Sequence, residues 1–468
     1  LHPCLYAFSK INLIFGRKSM KTKILMPNLD SISVNGIDFS ALSVEHMQAI
    51  IRDGLVPNYA QLKGWVIAGP GSDACTLTAL RVRGGKVSKV ELLDFQSVYD
   101  SANCGLGNDE ISRYVGELLL RGFPLVSRAQ DHIFLPPVIE ALRSFTGLER
   151  FYLCSSGTRA VEVAIDLAFR HWCNARGKKL GSADPSWKHA RIVSATASLH
   201  GRSRTARSLA SETATHTNFG PLLDIVEHVP FGDSAAIEKV FSDFGSDVVA
   251  VVLEPVQGMP GWVVPPEGYL QRVSELCTKH GSTFVLDEIR TGFGRTGTDW
   301  AFERFGVKPD LLCFGKSAGG GIEPLSGVGG RDDIMSSVEP GGMLFDTFSA
   351  TPQQCVALLA TIKLLCDHDL ARESDRKATK FFAELQTRFR EDIVEIRGLG
   401  FARAMQTRFP ADELRYELLE QGMWTMDLKA TPNTIFLDPP LVITEAHLAK
   451  ALDMFDRAFT RLRRRPKR

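Results

Sequence analysis

Three stretches decide the fold: VVAVVLEPVQG (248–258), FVLDEIRTGFGRTG (284–297) and DLLCFGKSAGGG (310–321). Each opens with a short apolar block and breaks off at a charged residue: Glu254, Asp287 and Lys316. Apolar blocks this short read as strands buried on both faces, as in a parallel sheet. Residues 267–280, between the first two blocks, carry a helical period, so strand, crossover helix and strand alternate as βαβ units. In open sheets of this kind ligands collect beyond the carboxyl ends of the strands. The expected fold class is therefore α/β, with Glu254, Asp287 and Lys316 gathered at one edge of the sheet.

The alternation continues outward. FYLCSSGTRAVEVAIDLAFRHW (151–172) reads as a strand, a Ser-Ser-Gly-Thr turn and a long helix. RIVSATASLHGRSRTARSLAS (191–211) reads as a strand and a loop around His200-Gly201-Arg202, and 234–245 as a helix. Nearer the start, 43–53 predicts a serine-capped helix, 76–95 a hairpin, and 108–121 and 135–146 two helices. After Thr347 the pattern changes. Helices are expected over 352–366, 370–393, 410–422 and 444–464, with strands at IRGLGFARAMQT (396–407) and TIFLDPPLVI (434–443), which together suggest a smaller α+β domain.

The 468 residues, 44% hydrophobic and 23% charged, suit two or three globular domains. A formal net charge of +1 argues against a dedicated nucleic-acid surface. Nine scattered cysteines without a CxxC pair argue for a reducing compartment and against a zinc module, so no metal is expected. No apolar run reaches the ~18 residues of a membrane span. Residues 1–29 lack acids but carry Lys10, Arg17, Lys18, Lys21 and Lys23. They read as a transit peptide or as sequence ahead of a start at Met20. The expected location is cytoplasmic, with the mitochondrial matrix as the alternative.

A carboxylate and a lysine at neighbouring strand ends can hold a pyridine ring between them, which points to pyridoxal 5'-phosphate (PLP). Such a site needs a lysine for covalent attachment and proton transfer, an acid on the ring nitrogen, and donors for the phosphate. Lys316 is the candidate Schiff-base lysine and Asp287 the candidate acid. Ser156, Gly157 and Thr158, at the amino end of a helix, are the candidate phosphate turn.

The blocks LEPVQG, LDEIRTGFGRTG, FGKSAGGG and TFSATP, in this order, resemble the signature blocks of the class III (subgroup II) aminotransferases, nearest the ornithine and acetylornithine enzymes, over roughly residues 85–460. The resemblance implies a fold type I PLP-dependent transferase and a homodimer with the site at the interface. It implies a non-core extension over 1–25, an N-terminal segment and part of the small domain over 26–110, a large PLP-binding domain over 111–345 and a C-terminal small domain over 346–468. Lys316, Asp287 and the turn match the roles above. Thr347 matches a threonine that reaches the phosphate from the other subunit. Leu199-His200 match an aromatic pair whose second member stacks on the ring, and Glu254 an acid behind it. Ile289 and Arg290 fall among the cofactor contacts. Tyr99 and Arg202 match residues that hold the substrate's amino and carboxylate ends.

The departures bear on substrate. Just before PPLVI the family usually carries an arginine for the carboxylate of glutamate or 2-oxoglutarate; here that position is Phe436. The glutamate that pairs with this arginine is here Met259. Both ends of one ion pair are apolar together, which removes a buried charge without stranding its partner. Phe436 and Met259 are expected to line an apolar substrate pocket, and 2-oxoglutarate to bind poorly in the usual pose. Arg290 stands where a glutamine often faces the cofactor's phenolic oxygen; it either holds that oxygen or pairs with an acid. Arg159 replaces a usual glutamate, and Thr351 a usual asparagine. The expected function is amino transfer from an ω-amino or basic amino-acid-like donor to an atypical carbonyl acceptor. The alternative is a racemase or epimerase, decarboxylase, lyase or carbon–carbon bond-forming enzyme on the same scaffold.

Overall fold

The three apolar blocks are adjacent parallel strands. In the computed structural model, which describes residues 64–465 apart from 84–85, 128, 178–184, 212–218, 339–343 and 429–430, they are β7 (Val248–Leu253), β8 (Thr283–Asp287) and β9 (Leu311–Phe314). Every residue of the three is buried. Phe284, Leu286, Leu312 and Phe314 face one apolar core, and Val285, Leu311 and Cys313 the other. This period of two, apolar on both faces, explains why the blocks read as uninterrupted.

The remaining central strands are β4 (Arg150–Cys154), β5 (Arg191–Ala195), β6 (Val226–Val229) and β10 (Ser326–Gly330), in the order β4-β10-β9-β8-β7-β5-β6. The expected α/β fold with a mostly parallel sheet is present; β10 alone runs antiparallel to its neighbours β9 and β4. Helices α1 (Asp109–Leu120), α2 (Leu135–Thr146), α3 (Gly157–Ala175), α4 (Ser234–Phe244) and α5 (Tyr269–His280) lie close to their expected bounds.

A four-stranded sheet precedes this one. It holds β1 (Trp65–Pro70), the expected hairpin of β2 (Thr76–Arg83) and β3 (Lys86–Asp94), and a late strand, β13 (Met423–Trp424), parallel to β3. The C-terminal part holds α6 (Pro352–Asp367), α7 (Leu370–Arg388), α8 (Ala411–Glu420) and α9 (Glu445–Arg463). Its sheet is β11 (Ile393–Leu399), β12 (Ala402–Thr407), β15 (Thr434–Leu437) and β14 (Met426–Asp427).

Three boundaries differ from expectation. The single strand expected over 396–407 is a hairpin that turns at Gly400-Phe401. Helix α7 stops at Arg388, because the chain needs Ile393 onward for β11. Strand β15 ends at Leu437, before Pro439-Pro440, whose missing N–H groups cannot extend a ladder. The helix expected over 43–53 and the extension over 1–25 lie outside the described residues. No helix among those residues is long and apolar enough to cross a membrane.

Candidate active site

Asp287 closes β8, Glu254 follows β7, and Lys316 follows β9 by one glycine, so the sheet brings all three to the same edge. They line one cavity of about 360 Å³ with Tyr99, Gly157, Thr158, Leu199, His200, Arg202, Met259, Ile289 and Arg290. The cavity also includes Gly201, Met426 and Leu428, which the sequence did not single out.

Lys316 adopts a left-handed backbone conformation, φ 48°, and its Nζ donates to the Tyr99 carbonyl oxygen. Burial pulls its pKa down to about 8; Asp100 opposes that shift and Arg290 adds to it. Asp287, 4% exposed, accepts from the Ile289 N–H at Oδ1 (3.0 Å) and shares a 2.7 Å hydrogen bond with His200 Nδ1 at Oδ2. Burial alone would lower the His200 pKa, but the Asp287 hydrogen bond and the Asp287 and Glu254 charges raise it. Glu254 accepts from the Leu199 and Gly258 N–H groups, at 3.1 and 3.0 Å, and burial raises its pKa.

Gly157 and Thr158 begin α3 at the cavity wall, where first-turn N–H groups lack helical partners. Ser156 sits outside the lining and caps the helix, accepting from the Arg159 N–H at 3.3 Å. A Cβ on Gly157 would lie 2.8 Å from Ile289 Cδ1, so glycine keeps this corner open. Arg202 lines the cavity from an exposed position, and its guanidinium has no partner among the described residues.

His200 lines the cavity with its edge bonded to Asp287 and its side chain fully buried, and Leu199 is its half-buried neighbour. One expected placement is corrected. Phe436 does not line the cavity. It is fully buried in β15 between β12 and β14, packed with Val256, Trp262 and Ala404. Met259 does line the cavity. Thr347 is exposed and outside the lining of its own chain's cavity. Arg290 pairs with an acid, Asp100, at 2.8 Å. Asp100 is the residue sequence reasoning missed: no spacing marks a pair separated by 190 positions.

The family profile described as Aminotransferase class-III matches residues 70–459. This chain belongs to the class-III aminotransferases. Among relatives of the aminotransferase, the ornithine aminotransferase of Oceanobacillus iheyensis is 31% identical over 368 residues, covering 79% of this chain and 89% of that protein. The putrescine aminotransferase of Pectobacterium atrosepticum is 32% identical over 375 residues, 77% of each chain. An ornithine aminotransferase structure from Toxoplasma gondii, described as having partial occupancy of PLP at its active site, superposes with a TM-score of 0.81 at 26% identity, over 94% of this chain and 99% of that one.

Class-III aminotransferases are fold type I, PLP-dependent enzymes, and the cavity of this one fits that cofactor. Its donor set combines a lysine held near pKa 8, a buried carboxylate at a strand end, and a helix amino terminus beside a corner kept open by Gly157. Among the described residues no group of acids, histidines or cysteines is arranged for a metal.

Proposed function

We propose that the aminotransferase takes the amino group of an ornithine-like or other ω-amino donor and passes it to a carbonyl acceptor, as a homodimer with each site at the subunit interface. The reading rests on Lys316 and Asp287 sharing one cavity with Arg202, a cation whose guanidinium has no partner among the described residues. When bound, PLP supplies an electron-withdrawing ring that stabilises negative charge at the substrate carbon losing its proton. Lys316 would anchor the cofactor, Asp287 its ring nitrogen, and the Gly157–Thr158 turn its phosphate. With its amine free, Lys316 Nζ would take a proton from the amine-bearing substrate carbon and deliver it to the cofactor carbon that receives the amino group, a task that suits a pKa of about 8. Asp287 keeps its orientation through His200 and the Ile289 N–H. Arg202 holds the donor's carboxylate and Tyr99 its amino end. The acceptor is recognised atypically, since Phe436 and Met259 offer no ion pair.

The test is a single turnover. With a donor amine and no acceptor, the cofactor-loaded protein should release about one equivalent of carbonyl product per site and stop. Continued turnover without acceptor would identify a racemase, decarboxylase or lyase and overturn the proposal.

A further inference from the structure

Arg290 is a closely housed cation of the cavity. Its guanidinium carbon lies 4.2 Å from the Trp262 ring centroid and 5.9 Å from that of Phe436. A Cβ on Gly258 would come within 2.4 Å of Nη1, so glycine there makes its room. Nε donates to Asp100 Oδ2 at 2.8 Å. Only 12% of the side chain is exposed, yet neither terminal nitrogen donates a hydrogen bond among the described residues. Nη2 is 3.6 Å from Asp438 Oδ2, beyond hydrogen-bond reach. The other oxygen of Asp438 accepts from Trp262 Nε1 and the Arg403 N–H.

Buried guanidinium groups normally spend their donors. Here Nε is bonded to Asp100 and Nη2, itself buried, lies within ion-pair distance of Asp438, while Nη1 donates to nothing among the described residues. Nη1 is the donor left for a substrate carboxylate. Arg290 shares its cavity with Lys316 and Met259, and Met259 brings no competing acid. We propose that Arg290 is the specificity-determining residue that grips the carboxylate of a 2-oxo acid acceptor, with Asp100 as the positioning residue that holds its guanidinium. The charge absent from positions 436 and 259 is carried by 290 and 100 instead. The acceptor keeps its carboxylate and changes its pose. This rests on the aminotransferase reading and names the acceptor class for the same site.

The experiment compares wild-type and Arg290→Gln holoenzymes with pyruvate, 2-oxoglutarate and an uncharged aldehyde as acceptors. Calorimetric binding of glutarate gives a readout independent of turnover. In Arg290→Gln the KM of both oxo acids should rise about 10- to 100-fold and glutarate affinity fall in step, while the aldehyde's KM stays within about twofold. Asp100→Asn should move the oxo-acid KM more than kcat. Unchanged oxo-acid KM values, or an equal rise for the aldehyde, would overturn the proposal. So would a shifted pH titration of the cofactor's visible band with KM unchanged, which assigns Arg290 to the cofactor. If wild type transfers no amino group to any acceptor, the aminotransferase reading fails, and the glutarate isotherm still decides the Arg290 assignment.

Discussion

In the proposed reaction Lys316 is the residue on which the chemistry turns, and its environment makes a measurable statement. Burial destabilises the ammonium, so with a pKa of about 8 roughly a tenth of the side chain is neutral at pH 7, far more than for a free lysine. Only the neutral amine attacks a carbonyl. Capture of added PLP by the cofactor-free protein should therefore accelerate as pH rises through about 8 and then level off; a rate that keeps climbing toward pH 10 would show that the shift is absent. Lys316→Ala should lower the amino-transfer rate by about 10²- to 10⁴-fold or more, read in the single-turnover assay. Lys316 and Asp287 were legible in the sequence because each interrupts an apolar run at a strand end. The role of His200 was not, because its partner Asp287 lies 87 positions away. The acid on Arg290 was hidden for the same reason. Sequence gives the type of a charged residue but not the distant charge it meets.

At the scale of elements, period-two burial made the central strands readable, and the antiparallel direction of β10 was not, since a strand pattern carries no direction. The segment Ser97–Asp100 was also illegible. All four residues are left-handed, with φ of 48°, 51°, 55° and 65°, and none is glycine. Left-handed backbone costs L-residues about 1–2 kcal/mol each. The turn persists because Ser97 Oγ donates to the Asp438 carbonyl at 2.6 Å and the Asp100 carbonyl accepts from Ser317 Oγ at 2.7 Å. It places the Tyr99 carbonyl on Lys316 and the Asp100 carboxylate on Arg290. Val98, β-branched and 43% exposed, bears this strain least well. Val98→Asn, which tolerates the conformation, should raise the unfolding midpoint of the holoenzyme by the equivalent of about 0.5–1 kcal/mol. At the start of α3, Gly157→Ala would press on Ile289 and should weaken PLP binding about 5- to 10-fold, measured by titrating the cofactor-free protein. The Thr351 substitution has a local account: Thr351 and Gln354 close a capping box at the start of α6.

At the scale of the molecule, the placement of Thr347 argues for a second chain. Phe345 and Phe348 beside it are 47% and 58% exposed, and Leu120 and Ile133 are 89% and 70% exposed. Exposed apolar groups mark a surface that meets another protein where they are contiguous. The loop before Thr347 is nonetheless held. Arg159 Nε donates to both oxygens of Asp346 at 3.1 Å, and Tyr152 Oη donates to Asp346 Oδ2 at 2.6 Å. Arg159, where a glutamate is usual, thus tethers this loop to the amino end of α3. In the proposed homodimer, this exposed threonine outside its own chain's cavity lining would serve the partner's site. Lys316→Ala and Thr347→Asp proteins should each be impaired as homodimers. Unfolded together and refolded in equal amounts, half of the dimers would pair one of each, and every such dimer would hold one site with both native residues. Activity should then recover to about a quarter of wild type. Failure to recover would place Thr347 in the service of its own chain's site, and a protein that sediments as an active monomer would remove the second chain from the argument altogether.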